Sequence, residues 1–252
     1  LANRRGFYAL EYLLFYEGAD TACTAFSPIV AGGTWAALTA DEREARKRAY
    51  ATVLARDIEL RAQGLVDAWD PAKGNFLAAL STAGSGSKVF PTTQAAFNAV
   101  SDAVFYFERE MKDAKLARPL GLRECMTPTC PELIESPFAG RSKTAFAANL
   151  GGFRRLIEGC GAGYSGLGFD DMLESVGGNG VALAAKMRQG IAATEAALAA
   201  IAEPDFTQAL AQHPASLRAL YDAVKTLTDV LKTEFVTLLN LELPQGLEGD
   251  ND

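Results

Sequence analysis

Histidine is nearly absent from this 252-residue chain: there is one, His213. A catalytic zinc usually takes three protein ligands rich in imidazole, so a zinc-hydrolase centre lacks its usual donors. A Ser-His-Asp or Cys-His centre finds equally little support, because His213 lies beside Pro214 at a helix entrance and reads as a helix-capping surface residue. Basic excess is missing too. Lys and Arg total 24 against 31 Asp and Glu, a net charge of −7, and the Arg43–Arg48 cluster is interrupted by acids, which argues against nucleic-acid binding. No run of about 18 apolar residues is present, so no segment reads as a membrane span. Alternating strand patterns and Asn-Gly hairpin signals are also missing. The Gly161–Gly168 stretch has no Gly-Lys-Ser/Thr ending and follows no strand, and it reads as a surface loop rather than a phosphate cradle.

What remains is helical periodicity. Apolar residues make up 49% of the chain, enough for a sizeable core. Phe7, Leu10, Leu13 and Leu14 recur at helical spacing in the first segment. Thr39 stands as an N-cap ahead of Asp41 and Glu42, and Tyr50, Val53, Leu54, Ile58, Ala62, Leu65 and Trp69 form one stripe that Asp70-Pro71 stops. A third helix is expected from Pro91-Thr-Thr with the stripe Phe97, Val100, Val104, Phe107 and Met111. Ser142 is expected to cap a helix reaching Gly159. An alanine-rich helix over 180–202 and a long one over 214–243 complete the pattern. The fold class is all-α, with long helices settling into antiparallel bundles.

Residues 119–141 hold four prolines and two cysteines and read as a connection between an N-terminal part, 1–118, and a C-terminal part, 142–243, followed by an acidic tail, 244–252. Cys125 and Cys130 flank Met-Thr-Pro-Thr, where a small covalent ring is reasonable, and this pair favours an oxidising compartment. A Cys23–Cys160 bridge is a weaker expectation.

The chemistry-bearing segment is Gly6-Phe7-Tyr8-Ala9-Leu10-Glu11-Tyr12-Leu13-Leu14-Phe15. Tyr8 and Glu11 are three apart, so a phenol and a carboxylate share a helix face. They either address one site or satisfy each other inside a bundle. The segment resembles the imelysin-like, or M75 peptidase-like, family, whose Gly-x-His-x-x-Glu motif opens into Tyr/Phe-Leu-Leu; here Tyr8 replaces the histidine. Two further stretches are similar to the same family: Phe105-Tyr-Phe-Glu108 through Lys115-Leu-Ala-Arg-Pro119-Leu-Gly121, and Glu135-Ser-Pro-Phe-Ala-Gly-Arg141-Ser142 through Asn149-Leu-Gly-Gly-Phe153.

That resemblance implies a fold of two helical-bundle halves, export to the periplasm or outer surface, often with a lipid anchor, and a site where the motif meets a groove between halves. It also implies further helices ahead of Gly6, in keeping with a chain that begins at Leu1. The expected binding residues are Gly6, Tyr8, Glu11, Lys115, Arg141, Ser142 and Asn149, with Tyr8 and Glu11 as the metal donors if a metal is held; phenolate and carboxylate oxygens suit ferric iron. Asp170, Asp171 and Glu174 form another acidic group, read chiefly as a helix N-terminal charge bias. Trp35, Phe105, Tyr106 and Phe107 read as core. The function expected is an exported, non-catalytic binding protein, linked to iron or metal uptake, for a small ligand, a metal or a cell-envelope protein. The alternative is a zinc-dependent M75-type peptidase.

Overall fold

A computed structural model describes residues 5–244 as helices and loops, with no strand among them. The expected tail beyond Pro244 lies outside the described residues. Two compact units part between Ala78 and Ala79. Residues 119–141, expected as a connection, run within the second unit.

The first unit is built on α1 (Gly6–Phe15) and α3 (Ala40–Trp69), with a short α2 (Pro28–Ala31) in the intervening loop. A capping box starts α3: the Glu42 amide donates to Thr39 Oγ1 at 3.3 Å, and the Thr39 amide donates to Glu42 Oε2 at 2.8 Å. Among its described residues only Ala9, Glu11, Ala51 and Leu54 are buried. The expected stripes on α1 and α3 are therefore covered only in part. Phe7, Leu14, Val53, Leu65 and Trp69 are exposed. The reason is length: α3, at 30 residues, extends about 45 Å, whereas the 10-residue α1 that packs on it extends about 15 Å.

The second unit holds the core. After α4 (Phe76–Ser81), α5 (Thr93–Val104) starts at Thr92, whose hydroxyl accepts from the Ala95 amide at 3.0 Å. The expected single helix through Met111 does not continue regularly. It turns at Phe105 and widens into a π-helical segment, Phe107–Ala117. Eight of its eleven residues are buried, which a one-sided α-helical stripe cannot accomplish.

On this segment pack α6 (Ser142–Glu158) and α10 (Pro214–Val230); α8 (Gly178–Ala200) packs on α6 and α10, with α7 (Phe169–Ser175) across α6 and α8. Periodic residues point inward: Phe146, Leu150, Phe153 and Ile157 from α6, and Leu217, Leu220, Val224 and Leu227 from α10. Gly180 lets α8 approach α7, since a Cβ there would stand 1.8 Å from the Leu173 carbonyl oxygen. The expected helix over 214–243 ends early, passing through a second π-helical stretch, Leu231–Phe235, into the brief α11 (Val236–Leu238).

Ser142 does not cap α6. Arg141 occupies the N-cap position, and the buried Ser142 hydroxyl accepts from the Phe206 amide at 2.8 Å, tying α6 to the start of α9 (Phe206–Gln212). Cys125 and Cys130 are disulfide-bonded with Cα atoms 6.0 Å apart, as expected. Cys23 and Cys160 form no bridge; each is an exposed free thiol. No described helix is long and apolar enough to cross a membrane.

Phe146 is fully buried and meets Phe206 edge to face, with centroids 5.6 Å apart. Phe146→Ala should lower the stability of the second unit by about 3–5 kcal/mol, read by urea denaturation followed through far-ultraviolet circular dichroism.

Candidate functional site

The motif helix begins at Gly6, whose φ of +79° favours glycine, with no atom within 4 Å of where a Cβ would stand. Its requirement is conformational, not a close approach. Tyr8 is half exposed and Glu11 is buried, so the two motif side chains occupy different environments although they share a helix. No group of three or more His, Cys, Asp and Glu side chains converges among the described residues.

Two of the expected site residues do meet, both in the second unit. Lys115 Nζ donates to Asn149 Oδ1 at 3.1 Å and lies 2.9 Å from Glu135 Oε2. Asn149 Nδ2 donates to the Tyr106 hydroxyl at 3.1 Å, and the ammonium stands 5.9 Å from that ring's centre. A cavity of about 390 Å³ opens beside them, lined by Tyr106, Phe107, Asn149, Gly152, Phe153 and Leu156. Phe107 and Phe153 stack at 4.0 Å to form its apolar floor.

Tyr106 is thus not the core residue the sequence suggests, being partly exposed, whereas Phe105 and Phe107 are. The phenol accepts from the Asn149 amide, so the cluster offers directional binding groups. Arg141 is exposed at the head of α6 and makes no ion pair among the described residues, while Ser142 is occupied by Phe206. Gly6, Tyr8 and Glu11 belong to the first unit.

Sequence reasoning missed the charged layer within the π-helical segment. Glu108 and Lys112, both without solvent exposure, pair at 2.9 Å, and Lys232 reaches the same Glu108 oxygen at 2.9 Å from the second π-helical stretch. The buried carboxylate is thus held between two cations. Asp113 lies 3.2 Å from Lys112 and 3.2 Å from Arg123. Burial acts to raise the Glu108 pKa, but Lys112, Thr228 and Lys232 together bring it below the usual carboxylate value. For Asp113 burial prevails over Lys112 and Arg123, and the pKa is raised. The only signal in the sequence was the four-residue Glu108–Lys112 spacing, which equally describes a solvated helix face.

The remaining candidates serve the fold. His213 sits between α9 and α10 with Nδ1 against the Glu203 carboxylate. Asp170 and Glu174 both engage Arg188, and Asp171 Oδ2 accepts from the Gly168 amide at 2.9 Å. This acidic group is a structural ion pair and a helix cap.

The imelysin family, Peptidase_M75, matches residues 2–233. The chain belongs to the imelysin family. No curated protein and no solved structure matches it. Three stretches similar to the imelysin pattern fall on α1, on the π-helical segment with the turn that follows it, and on the segment leading through α6; the second and third carry Lys115 and Asn149.

Glu108→Gln removes the carboxylate shared by Lys112 and Lys232 in this imelysin, and should reduce stability at pH 7 by about 3 kcal/mol or more. A carboxylate with a lowered folded-state pKa contributes stability above its ordinary 4.5 and loses it as pH falls further. Urea titrations at pH 7 and pH 3 should therefore show a smaller acid-induced loss in Glu108→Gln than in the wild type.

Proposed function

We propose that this imelysin is an exported, non-catalytic binding protein whose small organic ligand seats against Tyr106, Lys115 and Asn149. The observation that carries the reading is the fate of the imidazole. The single histidine is engaged with Glu203 at a helix entrance, and the motif position carries the half-exposed phenol of Tyr8. Tyr8 and Glu11 supply two oxygens and no nitrogen, a donor set that does not fit a hydrolytic zinc.

The Cys125–Cys130 bridge supports residence outside the reducing cytoplasm. The small apolar floor with an amide and a phenol at its edge, the amide braced from behind by the buried Lys115 ammonium, supports recognition of a compact ligand by a few convergent polar groups. A ferric-iron role has its own support: Tyr8 offers a hard phenolic oxygen at the surface, one helical turn from a carboxylate.

Purified protein supplied with zinc should show no peptide hydrolysis above that of Glu11→Ala; metal-dependent turnover lost in that variant would overturn the non-catalytic reading in favour of an M75-type peptidase. For the iron role, ferric titration should produce a tyrosinate charge-transfer band that Tyr8→Phe removes. A wild type that stays colourless rejects iron capture through Tyr8.

A further inference from the structure

A second cavity lies wholly within the first unit. Its volume is about 550 Å³, and its apolar walls are Tyr12 and Leu13 of α1, Ile29 and Trp35 of the loop, and Tyr50 of α3. That size falls within the range of about 300–1,000 Å³ typical of small-molecule sites. The rings are held in place. Tyr12 and Tyr16 stack at 4.7 Å, and Trp35 Nε1 donates to the Ala19 carbonyl at 3.0 Å.

Charge on the walls is unbalanced. Lys47 Nζ donates to the carbonyls of Tyr16 at 2.9 Å and Gly18 at 3.2 Å, which fixes the ammonium 5.3 and 5.8 Å from the Tyr16 and Tyr12 ring centres, and it makes no ion pair among the described residues. Arg46 also lines the cavity and makes no ion pair among the described residues. The lining acid, Asp20, accepts the Tyr16 hydroxyl at 2.6 Å. Burial and then Asp20 push the Tyr12 phenol up, so it retains its proton at neutral pH.

We propose that this cavity is a binding site for a small aromatic carboxylate, its ring held among Tyr12, Trp35 and Tyr50 and its carboxylate beside Arg46 and Lys47. Aromatic walls alone accept any planar apolar molecule, whereas a guanidinium pairs with a carboxylate in a planar, two-bond arrangement that neutral and cationic analogues cannot form. The proposal does not depend on the second-unit reading, and either can fail alone.

The test uses 1-naphthoate and the full chain. Trp69→Phe leaves Trp35 as the emitter, and naphthoate should quench it saturably. Arg46→Glu, or replacing the probe by cationic 1-naphthylmethylamine, should weaken binding by about tenfold or more. Independently, Cys23 lines the cavity and Cys160 lies in the other unit, so in a Cys160→Ser chain naphthoate should slow alkylation of Cys23. Absence of both quenching and protection overturns the proposal. Equal binding of the anionic and cationic probes, or unchanged affinity in Arg46→Glu, also overturns it, because the cavity would then be an apolar crevice without recognition of charge.

Discussion

Glu108 is the residue on which the second unit turns. Burying a carboxylate or an ammonium is costly, yet here one buried acid stands between the buried Lys112 of its own helix and the mostly covered Lys232 of the second π-helical stretch. Each charge is tolerable only because the others are in place, so the two π-helical stretches must meet in one register. Wider helical turns have poorer hydrogen-bond geometry than α-helical ones and persist where something else holds them. In this molecule a shared counter-ion does so, and Asp113 with Arg123 extends the same layer toward the disulfide loop.

Lys115 belongs to the same segment and is buried too, but in a separate cluster. Two residues beyond Asp113, it leaves the closed charge layer and joins Glu135, Asn149 and Tyr106 beside an open cavity. The π-helical segment thus sets both a sealed ionic core and the polar edge of the candidate site. Displacing its register would disturb the two together.

Much of this was legible in the sequence, and the failures have definable causes. The helical class, the family and the Cys125–Cys130 bridge follow from apolar periodicity, from three ordered stretches and from a short proline-bounded loop. Lys115 and Asn149, whose side chains meet, lie in two of those stretches. The charged layer was not, because periodicity assigns charges to solvent, and only burial on all sides of Phe107–Ala117 reveals that Glu108 and Lys112 face inward. The stripe on α3 misled in the opposite direction: Val53, Leu65 and Trp69 have the spacing of a packing face but no packed neighbour long enough to cover them. Pattern registers which residues prefer burial and is silent on whether a partner element reaches them.

The uneven distribution of burial has a thermodynamic consequence. Almost all of the apolar core lies between Val104 and Val236, while the first unit buries few side chains. Heat capacity and enthalpy of unfolding scale with surface removed from water, so a calorimetric trace should be dominated by the second unit, with the first contributing a shallow, low-enthalpy shoulder. A single melting temperature would describe neither unit, and cooperativity measured across the whole chain would understate that of the bundle.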